Sequence, residues 1–302
     1  MTENEFLLAD RIQKIKSMNE LYDLEKNGYV AFSGGKDSTV LHYLLDEALP
    51  GNHIPRVYIN TGIEYNAVVK FVKDLQEHDD RIKIISPRKN IKEILEQYGY
   101  PFKSKEHSQR LQEYKNGARG ENILRYFRFK EYWYRQCPKS LMYQIDPTFK
   151  LKISKKCCDK LKKEPFKEYE KQQGKTIAIT GMLREEGGQR KNITCIVTDT
   201  KSGEPKRFHP LSVVTSEFEK WYITERNIKL CELYYPPYNF KRTGCVCCPY
   251  STDLQTQLDK LSLYFPAERK RAELIWREVY VEYRRIGYRL RPLDLFDMEF
   301  IK

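Results

Sequence analysis

The 302-residue sequence predicts an α/β fold: a doubly wound, mostly parallel sheet with helices on both faces, followed by a helical C-terminal segment carrying a cysteine-ligated metal site. Three observations predict it. Short apolar runs at 29–32, 56–60, 81–85 and 176–180 have the length of buried strands. Stretches with helical spacing separate them, and that alternation gives parallel strands joined by helical crossovers. Cysteines recur in close pairs, at Cys157-Cys158 and in Cys245-Val-Cys-Cys248.

Taken in order, residues 4–27 place Leu7, Leu8, Ile12, Ile15, Met18 and Leu21 at helical spacing, so a helix precedes the first strand. That strand breaks at two glycines and restarts as a helix from Thr39. Helices are expected at 65–77 after the second strand and at 91–98 after the third. Residues 101–150 are aromatic and basic, with Tyr126, Phe127, Phe129, Tyr132, Trp133 and Tyr134 among Arg and Lys, and read as a helical insertion. From Glu217 the pattern is helical again, broken by Tyr234-Tyr-Pro-Pro-Tyr238 and a cysteine loop. Pro266 opens a basic helix over about 267–286. Its Leu274, Trp276, Val279, Tyr280 and Tyr283 are expected in the core, and its arginines on a solvated face. The division expected is an N-terminal helix at 1–27, a nucleotide-binding α/β domain at 28–215, and a helical region at 216–302.

The formal charge of +12 favours a polyanionic partner or an anionic substrate, although its spread along the chain also suits a lysine-rich enzyme. The first residues are acidic and polar, unlike a signal peptide. No apolar stretch approaches the ~20 residues that cross a bilayer. Eight cysteines in such a chain point to metal or redox chemistry and not to a disulfide framework. A cytoplasmic location without a membrane partner is expected.

The stretch from Gly28 to Thr39, Gly-Tyr-Val-Ala-Phe-Ser-Gly-Gly-Lys-Asp-Ser-Thr, carries the most chemistry. A glycine turn between strand and helix leaves N–H groups pointing out of a helix N-terminus, where phosphate binds. Lys36 adds a positive charge, and Ser33 and Ser38 add hydroxyl donors. A Walker A loop is excluded at two places: Val30 stands where its first glycine is needed, and Asp37 follows Lys36. A glycine turn without ligand is the bland alternative, but six specified residues in this context seldom coincide. In a parallel sheet ligands sit at the carboxyl ends of the strands. Residues 60–64, 86–87 and 181–186 with Arg190 are expected to converge there on the loop.

The cysteine pairs suit a four-thiolate shell for zinc or an iron–sulfur cluster. Adjacent cysteines diverge and chelate one ion poorly, whereas in a 4Fe–4S cluster each sulfur takes its own iron. That favours a cluster on Cys157, Cys158, Cys245 and Cys248. Cys137, Cys195 and Cys231 are expected to be buried structural cysteines. Cys247 is left over, either for packing or as a persulfide carrier.

Ser33-Gly-Gly-Lys-Asp-Ser38 resembles the PP-loop of the ATP pyrophosphatases, which split ATP into AMP and pyrophosphate. Cys-Cys followed about eighty residues later by Gly-Cys-x-x-Cys-Pro resembles the phosphoadenosine phosphosulfate (PAPS) and adenosine phosphosulfate (APS) reductase family. Asn60-Thr-Gly-Ile-Glu64, Gly99-Tyr-Pro-Phe-Lys-Ser-Lys105, Gly181-x-x-Arg184 through Arg190 and His209-Pro-Leu211 extend the resemblance over about residues 28–250. It implies a PP-loop, HUP-like α/β fold and a 4Fe–4S cluster on the four paired cysteines. It also implies nucleotide contacts from Ser33, Gly34, Gly35, Lys36, Asp37, Ser38, Thr61, Gly62 and Glu64. Lys36, Asp37, Arg184 and Arg190 are the candidate catalytic groups.

One departure redirects the expectation. Sulfonucleotide reductases attack sulfur with a cysteine in a mobile C-terminal tail, a task for a soft thiolate. Here no cysteine follows Cys248, and the tail reads Leu-Asp-Leu-Phe-Asp-Met-Glu-Phe-Ile-Lys from Leu293 to Lys302. The expected activity is therefore an ATP- and Mg²⁺-dependent pyrophosphatase that adenylates an oxygen-bearing substrate for sulfur transfer. Nucleic acid, as tRNA or DNA, is the expected acceptor, and a cysteine desulfurase or another donor supplies the sulfur. A sulfonucleotide reductase using another thiol and a non-catalytic nucleotide-binding assembly protein are the alternatives.

Overall fold

The computed structural model describes residues 2–131, 135–187, 190–294 and 297–300. Tyr132, Trp133 and Tyr134 of the aromatic stretch lie outside them. Along the chain run α1 (Glu3–Tyr22), α2 (Leu24–Asn27), β1 (Gly28–Phe32), α3 (Lys36–Ala48), β2 (Arg56–Ile59), α4 (Asn66–Gln76) and β3 (Ile82–Ile85). Then come α5 (Ile91–Tyr98), α6 (Lys105–Lys115), α7 (Glu121–Tyr126), α8 (Lys156–Cys158), α9 (Glu164–Gln173) and β4 (Ile177–Ile179). β5 (Ile196–Thr198), β6 (Pro205–Phe208), α10 (Ser216–Glu225), α11 (Leu254–Tyr264) and α12 (Pro266–Arg285) complete the order. Two compact units result. The first comprises Met1–Asn60, Glu64–Ser86 and Pro165–Thr243; the second comprises Thr61–Ile63, Pro87–Glu164 and Gly244–Lys302. This grouping follows packing and not the linear division at residue 215.

All six strands belong to the first unit, in the order β3-β2-β1-β4-β6-β5. β3, β2, β1, β4 and β6 are mutually parallel, and β5 pairs antiparallel on the edge. Successive strand residues point to opposite faces, and both faces of β1 are covered. Tyr29 packs against Phe166 and Tyr169 of α9 and donates to Glu170 Oε1 at 2.8 Å. On the other face Phe32 meets His42 of α3. The predicted α/β fold with a mostly parallel sheet is thus present, and β5 and β6 add to it. The expected first helix divides at Asp23, which adopts a left-handed φ of 47° and caps α2. Leu21, expected on its apolar face, is exposed.

At the amino ends of β2 and β3, buried Arg56 reaches Asp46 at 2.6 Å and Asn52 at 2.7 Å. Arg81 chelates Asp46 at 2.7 and 2.9 Å and Asp79 at 2.8 Å. The buried Arg56 and the half-buried Arg81 are both matched by carboxylates, as loss of water around a charge requires. Burial and the Arg56 charge lower the neighbouring His42 to about 4, so it is neutral there. These ties lie at the amino end of the sheet, opposite the turn that follows β1.

The second unit is helical. Tyr100 and Ile153 form an isolated parallel bridge that draws the chain after α5 alongside α8. In α12, Trp276, Val279, Tyr280 and Tyr283 are buried as expected, whereas Leu274 is 74% exposed. Leu274 lies two residues from Trp276, about 200° around the helix, and so cannot share its face. Among the described residues no helix is long and apolar enough to cross a membrane.

Candidate functional site

In the first unit the chain leaves β1 and turns through Ser33, Gly34 and Gly35 into α3. Gly34 has φ 68°, and a Cβ there would lie 2.7 Å from Val72 Cγ2 of α4, so both backbone and space require glycine. Ser38 Oγ donates to Gly35 O at 2.9 Å, and Ser33 Oγ accepts from Gly35 N at 3.3 Å. The two hydroxyls lie 2.9 Å apart. They brace the turn itself: with the Ser38 proton on Gly35 O, the Ser33 hydroxyl is the donor across the pair, and a phosphate would have to draw either proton out of these bonds. Gly35 is the N-cap of α3 and supplies no side-chain acceptor, so the positive end of the helix is left for other groups. One is Tyr234, whose hydroxyl oxygen accepts from Lys36 N at 3.0 Å and lies 2.8 Å from Thr243 Oγ1.

The charges around the loop are coupled. Lys36 Nζ pairs with the carboxylate of Glu219 on α10, and Asp37 Oδ1 is 3.9 Å away. The Glu219 side chain is 0% exposed. Its burial and the negative charge of Asp37 push its carboxyl up to about 7, outweighing the attraction of Lys36. Burial alone would lower Lys36, but the hydrogen bond and charge of Glu219 leave it raised.

The other predicted groups of this unit are placed as follows. After β4, Gly181 packs so closely on α3 that a Cβ would lie 2.7 Å from Asp37 O and 3.2 Å from Ser38 N. This brings the segment after β4 to the first turn of α3, as the parallel topology predicts at a point where neighbouring strands diverge. Arg190 is half-buried, and burial together with the charge of Arg242 lowers its pKa, while Asp37 opposes them. Arg184 is exposed and donates from Nε to Ile193 O at 2.6 Å. Glu64 is buried in this unit. Thr61, buried, and Gly62, with φ 77°, group with the second unit. Glu219, Tyr234 and Thr243 were not among the predicted residues. Glu219 reads in sequence as one of several acidic residues opening a helix, and Tyr234 only as part of a break.

The four paired cysteines all belong to the second unit. Cys157 keeps its proton through a hydrogen bond to Cys158 and through burial, and the charges of Cys248 and Cys245 raise it further. The same hydrogen bond lowers Cys158 to about 6, helped by Lys105 and Lys162 against burial. Burial and Cys245 raise Cys248. The thiols therefore share one electrostatic neighbourhood. Among the described residues, however, no group of three or more His, Cys, Asp or Glu side chains is set to hold a metal ion. The expected metal site is thus not preformed, although four thiols with two lysines nearby are a donor set suited to an iron–sulfur cluster.

The loop bearing Cys245 and Cys248 is held from α12. Trp276 Nε1 donates to Val246 O at 2.9 Å, Tyr280 OH to Cys247 O, and Tyr283 OH to Pro249 O at 2.9 Å. Cys247 is fully buried and takes a left-handed φ of 41° that turns the loop. Cys137 and Cys231 are buried as expected, but Cys195 is only half-buried.

Two uncharacterised proteins of Methanocaldococcus jannaschii are related in sequence. One is 43% identical over 84 residues, covering 28% of this chain and 17% of that protein. The other is 26% identical over 253 residues, covering 80% of this chain and 48% of its own length. The chain thus spans less than half the length of these curated relatives. Among solved structures it is similar to a PAPS reductase from Candida auris in its phosphate complex, at 16% identity and TM-score 0.43, covering 76% of this chain and 87% of that one. A Candida glabrata FMN adenylyltransferase with FAD and pyrophosphate gives 15% identity and TM-score 0.46, covering 82% and 66%. A U34-tRNA thiolase of Methanococcus maripaludis with its [4Fe–4S] cluster gives 16% and 0.37, covering 95% and 82%. The profile of the phosphoadenosine phosphosulfate reductase domain matches residues 27–132 and 126–251. With the glycine turn after β1 and both cysteine pairs inside that span, the chain belongs to the phosphoadenosine phosphosulfate reductase domain family.

Proposed function

We propose that this chain is an ATP pyrophosphatase that activates an oxygen-bearing acceptor for sulfur transfer. The observation that carries the reading is the N-terminus of α3: a helix end whose N-cap glycine supplies no side-chain acceptor, with Lys36 in its first turn and the Gly181 backbone packed against it. The β- and γ-phosphates rest on residues 33–38. Lys36 exchanges the Glu219 carboxylate for phosphate oxygen, and Arg184 and Arg190 offset the charge that develops on the phosphates. The acceptor oxygen attacks the α-phosphorus, the α–β bridging bond breaks, and pyrophosphate leaves. A sulfur nucleophile from a cysteine desulfurase or another donor then displaces AMP. Mg²⁺ suits the carboxylate oxygens of Asp37 or Glu64, and its chemistry is to neutralise phosphate charge. Cys157, Cys158, Cys245 and Cys248 would hold a 4Fe–4S cluster, which supplies either a place for sulfur or a structural tie. The net charge favours a nucleic-acid acceptor, tRNA or DNA.

The test is release of AMP and pyrophosphate from ATP, with RNA or DNA present. Tight ATP binding without turnover on any acceptor would instead indicate a nucleotide-binding assembly protein. Family membership favours a second reading, reduction of PAPS or APS. Sulfite release from either substrate with thioredoxin as reductant would establish that reading and displace adenylation.

A further inference from the structure

The second unit presents an aromatic surface that neither the phosphate loop nor the thiols use. Two flat groups lie against Tyr114. The Arg119 guanidinium carbon lies 3.9 Å from its ring centroid. The Phe129 ring is parallel to it within 6°, with centroids 5.8 Å apart. Buried Phe127 supports Tyr114 at 5.2 Å, so the stack rests on the core. Phe129 itself is 53% exposed. Between the inward Phe127 and the outward Phe129, Arg128 adopts φ 64°. Its side chain fixes that reversal by donating to Cys137 O at 2.8 Å and to Gln136 Oε1 at 3.0 Å.

The segment that carries the stack is cationic in sequence. Residues 101–150 hold 11 Lys and Arg against five Asp and Glu, half of the net charge of the whole chain in a sixth of its length. An aliphatic partner gains little from parallel ring faces or from cations. Single-stranded nucleic acid uses both, because unpaired bases stack on aromatic faces while phosphates follow the basic residues. A duplex keeps its bases stacked within itself and cannot offer one to the ring.

We propose that Phe129, backed by Tyr114 and Arg119, is a stacking platform for an unpaired base of a single-stranded nucleic acid. The proposal rests on the reading that the acceptor is nucleic acid and gives that acceptor a docking point. It is tested with the full chain and short fluorescein-labelled single strands of RNA and of DNA, followed by anisotropy, with the corresponding duplexes as competitors. Phe129→Ala and Phe129→Leu are expected to weaken binding of the preferred single strand by about ten-fold, as loss of one stacked base does. Phe129→Trp is expected to retain it. Thermal unfolding of all three variants should stay near the wild type, since the ring is exposed. Unchanged affinity in Phe129→Leu, or no binding of either single strand by the wild type, would overturn the platform. ATP binding is measured in parallel: its absence from the wild type would count against the phosphate-loop reading and leave the platform standing or falling on the oligonucleotides alone.

Discussion

The carboxylate of Glu219 lies wholly out of water against the ammonium of Lys36, at the first turn of the helix that follows the glycine turn. On the proposed reading, a buried negative charge here would do two things to an incoming triphosphate. It occupies the lysine, and it repels the phosphates. Both effects oppose nucleotide binding in a low-dielectric setting. Glu219→Gln keeps the shape and removes the charge, so ATP and pyrophosphate should bind about five- to ten-fold more tightly by calorimetry. Lys36→Met should weaken the same binding at least ten-fold. Weaker binding in the glutamine variant would make Glu219 a strut for the lysine instead of its competitor.

The same residue sets a pH dependence of stability. Its folded pKa of about 7 lies above that of an unfolded glutamate. The folded chain therefore binds more protons than the unfolded chain between about pH 4.5 and 7. Stability contributed by the protonated carboxyl falls as pH rises through that window and is flat above it. The loss should be on the order of 1–3 kcal/mol. Urea unfolding at pH 5 and pH 8 reads it, and Glu219→Gln should lose correspondingly less between the two. Parallel pH profiles for the two proteins would refute the assignment.

Gly181→Ala tests the close approach after β4. The new Cβ meets backbone of Asp37 and Ser38, which cannot swing away as a side chain can. A destabilisation of about 1–3 kcal/mol is expected, as for other overpacked sites, together with weakened ATP binding as the first turn of α3 shifts. Gly120→Ala has open space and no left-handed backbone, so it is the matched control. Equal behaviour of the two variants would show that the contact carries no constraint.

The cysteine centre is tested by composition. Anaerobic isolation should yield a brown protein with iron and acid-labile sulfide in about equal amounts, as a 4Fe–4S cluster requires. Cys158→Ser and Cys248→Ser should lose both. Cys137→Ala should keep both, since that buried thiol is engaged elsewhere, with Pro138 O at 3.6 Å and His107 Nδ1 at 3.9 Å. A colourless wild type containing one zinc and no sulfide would replace the cluster with a zinc site.

Strands β1 to β4 were legible because each is a short, largely apolar run closed by a turn signal. β5 and β6 were not. Val197, Lys206 and Arg207 face solvent, so an edge pair leaves no apolar run to read. The glycine turn was legible because φ 68° at Gly34 and the contact at Gly181 both demand glycine, a constraint that sequence displays directly. Glu219 was hidden for the opposite reason. A charge turned inward by packing looks the same in sequence as one turned outward. Tyr234 reaches Lys36 across 198 positions of chain, a relationship that local spacing cannot express. Leu274 is apolar like Trp276 but stands two positions away on the helix, so the period that buries one exposes the other.

Trp276, Tyr280 and Tyr283 fasten three carbonyls of the Cys245–Cys248 region from a neighbouring helix. A loop clamped through its main chain owes little of its shape to whatever its sulfurs carry. Small zinc-bound motifs, by contrast, come apart when stripped because the ion is their core. Here the clamp is main chain to side chain, so the loop's backbone should keep its course with its thiols bare, and only the approach of the four sulfurs to one another is left for a bound group to complete.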